Sequence, residues 1–299
     1  MLDVIIVGGG PAGLSAALVL ARACRSIVVI DNGNPRNAPA RRMHGYLSRD
    51  GINPKRLLAI SRKQLEPYGI DIVDDEAVHA RRLKTGFSVR TRLGQRLQSR
   101  KLLLATGVRD QLPQLQGFRE FYGTSVHHCP YCDGWEWRGR KLVAYGGGKA
   151  GAGMALLLRQ WSKVVTVVTN GDKPPSPNQR RQLDLYGIAL QTTKIDRLEG
   201  RHGRLRSIVF TDGASLQCDA MFFNTGQRQR SSLADNLGCE FDRHGGVVVD
   251  RRARTCVPGL YLAGDASGDM QFVIQAAAEG ALAGVAINKE FQEEEGRTF

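Results

Sequence analysis

Acidic side chains are in short supply in this chain. Its 29 Asp and Glu stand against 42 Lys and Arg, and the formal net charge is +13 at pH 7. An excess of that size first suggests nucleic-acid binding. The basic residues, however, come as scattered pairs, Arg41-Arg42, Arg81-Arg82, Arg180-Arg181 and Arg251-Arg252. No basic helix, aromatic stacking platform or zinc-finger spacing accompanies them, so nucleic acid is disfavoured and the pattern describes a solvated basic surface. The sharper reading is attraction to an acidic partner, or to an anionic membrane face for which nothing else speaks. Long apolar runs are also missing, and no segment is fit to span a bilayer. Met1-Leu2-Asp3-Val4-Ile5-Ile6 runs straight into a glycine turn. That leaves no room for a signal peptide, and the expectation is a soluble, cytoplasmic protein. Six cysteines in 299 residues are too few for a disulfide scaffold. In a reducing compartment an isolated CxxC is more often redox-active or metal-binding than structural.

What is present is an ordered series of glycine turns. Asp3 to Val7 reads as a buried strand, Gly8-Gly9-Gly10-Pro11-Ala12-Gly13 as a turn, Pro11 to Ala23 as a helix, and Ser26 to Ile30 as a second strand ending at Asp31. That is one βαβ unit. In such a unit Gly8 allows the tight turn, Gly10 lets the backbone approach a pyrophosphate, and Gly13 permits close helix–strand packing. Asp31 is placed to accept ribose hydroxyl bonds. Leu102 to Leu104 is another buried strand, entering Ala105-Thr106-Gly107, and residues 112 to 122 look like a crossover. A second unit comes next: strand Leu142 to Tyr145, turn Gly146-Gly147-Gly148-Lys149-Ala150-Gly151, a helix through Met154 to Arg159, and strand Val164 to Val168. Strand Met221 to Phe223 ends in Asn224-Thr225-Gly226, mirroring Ala105-Thr106-Gly107. The chain thus holds a diverged internal repeat of two nucleotide-binding modules. Gly259 to Ala263 reads as a strand leading to Gly264-Asp265, and a helix from about Phe272 to Ile287 closes the fold.

Between the two turns lies His128-Cys129-Pro130-Tyr131-Cys132-Asp133-Gly134. Two cysteines at this spacing close a small disulfide, and placement at a helix start favours exchange. Zinc requires four ligands arranged tetrahedrally. Adjacent His128 and Cys129 are poor joint ligands and there is no second CxxC, so no metal is expected. His127 and His128 are read as structural residues that could tune thiol protonation, and His44 has little to mark it. Cys24, Cys218, Cys239 and Cys256 are isolated in sequence and read as buried small apolar residues.

The series GxGxxG, ATG, CxxCDG, second glycine turn and GDA resembles the low-molecular-weight thioredoxin reductase family of flavoproteins over nearly the whole chain. The resemblance implies an α/β fold of two Rossmann-like three-layer nucleotide-binding domains, the second inserted into the first. An FAD-binding domain would comprise 1–113 and 243–299, and an NAD(P)H-type domain with the CxxC motif 114–242. It implies FAD at Gly8, Gly10, Pro11, Ala12, Gly13, Asp31, Ala105, Thr106, Gly107, Gly264 and Asp265. It further implies that Cys132 faces the flavin, that Cys129 exchanges with an external dithiol or disulfide, protein or small molecule, and that Asp133 is the general acid/base. A helix-capping role for Asp133 is the local alternative. A homodimer is implied as well.

The chain departs from that family where NADPH should bind. The family's His-Arg-Arg cluster, which pairs with the 2′-phosphate, is replaced by Val168-Thr169-Asn170-Gly171-Asp172-Lys173-Pro174. Lys149 stands where the family often has Asp, and Gln271-Phe272-Val273 replaces the usual Arg-Gln-Ala. The Cys-Pro-Tyr-Cys-Asp-Gly-Trp-Glu pattern is closer to two branches that lack the NADPH motif, flavin-dependent dithiol oxidases and diflavin-linked disulfide oxidoreductases. Gly146, Gly148 and Gly151 then hold either a second FAD or other dinucleotide, with Tyr131, Trp135 and Trp137 as a stacking surface, or nothing. The expected activity is FAD-dependent disulfide/dithiol oxidoreduction. The alternatives are an NADPH-dependent thioredoxin reductase and a flavin-binding redox sensor.

Overall fold

The computed structural model describes residues 1–268 and 270–297; Asp269, Thr298 and Phe299, all within the expected 243–299 segment, lie outside the described residues. The chain divides into two compact units, one of residues 1–38, 54–109 and 227–299, the other of residues 39–53 and 110–226. These bounds differ from the expected domain bounds: residues 39–53 and 110–113 pack with the second unit, and 227–242 with the first. Segment 39–53 carries no apolar period, so only its packing reveals where it belongs.

In the first unit four parallel strands, Asp71–Asp74, Ile27–Asp31, Leu2–Val7 and Arg96–Leu104, lie side by side. Leu260–Leu262 adds a fifth on the far side of Arg96–Leu104. The first half of Arg96–Leu104 instead pairs antiparallel with Phe87–Thr91, which pairs with Ala77–Arg82. Alternation sorts the side chains. Val4, Ile6, Val29 and Leu103 pack with Leu14, Leu20, Ile287 and Phe291 on one face; Ile5, Val7, Val28 and Leu104 pack with Phe87 and Val89 on the other. The first face is covered by helices Pro11–Arg22 and Val273–Glu294. These two helices approach closely enough that a Cβ on Gly280 would stand 1.9 Å from the Ala12 carbonyl oxygen. The C-terminal helix runs seven residues past its expected end at Ile287. Lys101, buried beneath it, bonds to both Glu290 and Glu294.

The second unit repeats the plan. Ala189–Gln191, Val165–Val168, Leu142–Tyr145, Ala220–Phe223 and Val126–His127 form a five-stranded parallel sheet in that order. Leu142, Ala144 and Phe222 pack with Leu158 and Leu183 of helices Gly148–Leu158 and Pro177–Leu185. Val143, Met221 and Phe223 pack with Ile208 and Phe210 of an antiparallel sheet, Ile195–Arg201, Arg204–Phe210 and Ser215–Gln217. Among the described residues no helix is long and apolar enough to cross a membrane.

Candidate functional site

In the first unit the candidate residues gather at the carboxyl ends of the parallel strands Leu2–Val7, Ile27–Asp31, Arg96–Leu104 and Leu260–Leu262, the edge where α/β sheets bind ligands. Gly8 has φ +111°, and a Cβ on it would stand 2.2 Å from the Ala105 carbonyl oxygen. One on Gly13 would stand 1.9 Å from the Gly8 carbonyl oxygen. These two glycines are demanded by the protein's own backbone. Gly10 is different: its backbone is extended, and a Cβ there would meet nothing within 4 Å. Its helix has no side-chain cap and no acidic residue in the first turn. An open, bare backbone at a helix N-terminus is what a pyrophosphate needs, so the cradle fits a dinucleotide. Pro11, whose missing N–H is no loss at the first helical position, and buried Ala12 continue the helix from this cradle.

The neighbouring candidates close around the turn. Ala105 N–H donates to the Val7 carbonyl at 2.8 Å, which sets Ala105-Thr106-Gly107 beside it. The Asp31 carboxylate lies over Gly9, where a Cβ would be 2.5 Å from Oδ2. It accepts from Arg62 Nη2 at 2.5 Å. Burial pushes the Arg62 pKa down, but its bonds to Asp74 and Asp31 outweigh that and leave it raised. Gly264 packs against Ala12 and donates its N–H to Glu279 Oε2 at 2.8 Å. Asp265 accepts from Arg36 Nη1 at 3.1 Å, and Arg36 also bonds Gln271, which exchanges amide bonds with Gln227 at 2.6 and 2.8 Å. Arg36, Arg62, Gln227 and Glu279 had no sequence signal, because each reaches the site from a segment with no motif.

The second turn keeps the frame of the first. A Cβ on Gly151 would stand 1.9 Å from the Gly146 carbonyl oxygen, as on Gly13 against Gly8. Its opening is filled. Gly148, at φ +51°, donates its N–H to the Lys173 carbonyl at 2.7 Å. The same oxygen would lie 2.8 Å from a Cβ on Gly147. The loop that carries it is anchored: Gly171 N–H donates to the Thr192 carbonyl at 2.9 Å, and Asn170 accepts from Ile195 N–H at 2.7 Å. Gly8 N–H bonds the Ile30 carbonyl and Gly146 N–H that of Val168, so Thr169 occupies the position matching Asp31. Its hydroxyl is buried with no hydrogen-bond partner.

In the same unit Cys129 and Cys132 form a disulfide. Strand Val126–His127 delivers them to the carboxyl edge of the sheet that carries the second turn. Cys129 is the N-cap of the short helix Pro130–Asp133, and Cys132 N–H donates to Cys129 Sγ at 3.1 Å. Asp133 makes no side-chain cap to the following turn. Instead its Oδ1 stands 3.3 Å from His127 Nδ1. Trp137 Nε1 donates to His127 Nε2 at 3.0 Å. An indole N–H can only donate, so Nε2 accepts, and in the neutral ring the proton sits on Nδ1, facing Asp133. The buried His127 therefore positions Asp133, a role the sequence only hinted at. His128 makes an interaction of its own. His44 lies between Asp50 and Glu136. Among the described residues no cluster of three or more His, Cys, Asp or Glu is arranged to hold a metal.

Two expectations change here. Tyr131, Trp135 and Trp137 do not share one stacking face. Tyr131 packs edge-on to Trp161, Trp135 lies under Arg138, and Trp137 is bonded to His127. Of the four other cysteines only Cys218 and Cys239 are buried, whereas Cys24 and Cys256 are exposed. Burial pushes the Cys218 thiol up to about 12.

Residues 2–280 match the pyridine nucleotide-disulphide oxidoreductase family model. The chain is 34% identical to thioredoxin reductase tcpT of Claviceps purpurea, over 95% of this chain and 92% of that one. The crystal structure of the putative thioredoxin reductase TrxB of Bacillus anthracis superposes with a TM-score of 0.94 at 30% identity, covering 99% of this chain and all of the other. That of HlmI superposes with a TM-score of 0.95 at 35% identity, covering 99% and 94%.

Proposed function

Because the chain belongs to the pyridine nucleotide-disulphide oxidoreductase family and is thioredoxin reductase-like over nearly its whole length, it is a flavin-dependent oxidoreductase acting on sulfur groups, and we propose that it interconverts an external dithiol and its disulfide at Cys129–Cys132 without ordinary use of NADPH. The observation that carries the last clause is the Lys173 carbonyl on Gly148 N–H. The backbone donor that would meet a pyrophosphate is already satisfied, and segment 168–174, where the family's cluster would stand, carries no arginine to pair with a 2′-phosphate. The same cap favours the reading in which the second turn holds no dinucleotide, with one FAD per chain. The competing reading, an NADPH-driven thioredoxin reductase, draws on the relatives' names and on the preserved Gly146–Gly151 frame.

FAD fits the open Gly10 cradle in the first unit, where Gly8, Gly13, Ala105–Gly107 and Gly264–Asp265 would hold it. Bound there, it supplies the two-electron couple that dithiol oxidation or disulfide reduction requires. The protein's part is sulfur and proton chemistry. Cys129 forms the mixed disulfide with the external sulfur and Cys132 resolves it. Asp133, oriented by His127, takes or returns the thiol proton. A cavity of about 530 Å³ in the second unit, where Arg41, Arg140, Lys141, Arg204 and Arg206 outnumber Glu136 and Asp219, supports an anionic partner. A homodimer is the assembly the family implies.

The test is anaerobic addition of a dithiol while flavin absorbance is followed. Wild type bleaches, whereas Cys129→Ser and Cys132→Ser each keep their flavin and do not. A double Ser variant bleached as fast as wild type overturns the assignment. Asp133→Asn is expected to slow bleaching about 100-fold and to flatten its pH profile. His127→Phe, with Asp133 intact, is expected to shift the profile with a smaller loss. An unchanged profile in both variants removes the proton-transfer role.

A further inference from the structure

Two cysteines that the flavin reaction does not use are brought together in the first unit. Cys239 comes after Gly238 at the end of the short helix Leu233–Asn236, and Cys256 after Thr255 ahead of strand Leu260–Leu262. One contact joins these segments: Cys256 Sγ donates to the carbonyl of Gly238, the residue before Cys239, at 3.4 Å. Standard covalent geometry puts a carbonyl oxygen about 2.8 Å from the next Cα, so Cys256 Sγ lies no more than about 6 Å from Cys239 Cα. A normal disulfide spans Cα atoms about 4.4–6.8 Å apart, and this contact sets the two segments side by side on that scale. Both backbones are held: Cys239 N–H donates to the Ala234 carbonyl at 3.0 Å, and Thr255 N–H to that of Leu260 at 3.0 Å. The two thiols differ in access. Cys239 is buried, whereas Cys256 is exposed in an open cavity of about 600 Å³ bordered by Glu240, Asp250, Arg254 and Pro258.

We propose that Cys256 and Cys239 are a second redox pair, closed by low-molecular-weight disulfides. The Cys256 thiolate attacks one sulfur of a disulfide RSSR, giving the mixed disulfide Cys256–S–S–R and one RS⁻, which takes up the proton Cys256 gave up. The Cys239 thiolate then attacks Cys256 Sγ, and the second RS⁻ leaves and takes up the Cys239 proton. Two protein thiols are oxidised and one disulfide is reduced to two thiols. The closed bond ties together residues 239 and 256, just ahead of the strand that presents Gly264 and Asp265. The pair is thus a redox-sensitive staple on the first unit, separate from Cys129–Cys132.

Full-length, flavin-loaded protein is incubated with oxidised glutathione, its free thiols are alkylated, and it is digested with trypsin without reduction. Arg230, Arg243 and Arg254 put the two cysteines on different peptides. The expected result is a Cys239–Cys256 cross-linked peptide in wild type. Cys239→Ser is expected to accumulate one stable glutathione on Cys256, and Cys256→Ser to leave Cys239 alkylated. The cross-linked wild type is expected to melt at a higher temperature than Cys256→Ser treated in the same way. A lasting glutathione adduct on wild-type Cys256 with Cys239 free, or both thiols alkylated, overturns the proposal. The wild-type map decides alone if a Ser variant does not fold.

Discussion

At the first glycine turn a Cβ on Gly10 would meet nothing within 4 Å, while at the second the N–H of the matching Gly148 is bonded to Lys173 at 2.7 Å. The frames agree closely, for Gly13 against Gly8 and Gly151 against Gly146 make the same 1.9 Å approach. The difference lies at the carboxyl end of each unit's second strand. In the first unit that strand ends in Asp31, a side chain that sits over Gly9 and leaves Gly10 free. In the second the strand ends at Val168, and Thr169 and the four residues after it fold back so that a main-chain oxygen caps the helix. A glycine motif thus encodes the turn, and a segment some twenty residues later decides whether the turn is open.

The largest effect that tests this contrast comes from placing a negative side chain at each opening. Gly10→Asp is expected to fold, since the added Cβ touches nothing, and to be purified with less than about a tenth of the normal flavin, because a carboxylate would face the pyrophosphate. Gly148→Asp is expected to keep its flavin. Normal yellow absorbance in folded Gly10→Asp protein breaks the comparison, and so does flavin loss in Gly148→Asp.

A smaller effect concerns the nicotinamide side. Losing one charge-assisted phosphate contact is worth about 10- to 100-fold in affinity. NADPH is therefore expected to bleach the flavin at least about 100-fold more slowly than a dithiol, with no preference over NADH. Rapid stoichiometric bleaching by NADPH, or two flavins per chain in reconstituted protein, shows that the Lys173 cap gives way.

The smallest effect is on acid stability and separates the two units. In the first unit hydrogen bonds hold three carboxyls below their ordinary range: Asp75, chiefly from Thr91; Asp242, chiefly from Gly246 N–H; and Glu295, chiefly from Arg25. At Asp250 and Glu290 burial pushes the other way and is outweighed, by Arg254 at the first and by Lys101 and Tyr261 at the second. In the second unit Asp50 is lowered, chiefly by Gly45 N–H. A depressed carboxyl stabilises the fold above its ordinary range, and that contribution is lost as pH falls through the native value. The first unit is therefore expected to fail at higher pH than the second. Trp135, Trp137 and Trp161 all lie in the second unit, so flavin release should precede the shift of the tryptophan emission maximum. Coincident transitions would remove the distinction.

The repeat, the strands before each turn, the CxxC pair and the glycines of the first cradle were legible in the amino-acid sequence, because each is a local requirement. A tight turn needs glycine, a buried strand needs an apolar run, and a small disulfide needs two cysteines at that spacing. The antiparallel strands 77–91 and 195–217 were not legible: register shifts at Ala77/His79 and Glu199/Gly200 interrupt the alternation. The partners of the candidate residues were equally hidden. Arg62 on Asp31, Arg36 on Asp265 and Trp137 on His127 are side chains whose significance depends on what stands opposite them, and no spacing along the chain records that. The same holds for Lys173. Its contribution at the second turn is a backbone carbonyl, which every residue carries, so only the path of the folded chain could make it a cap.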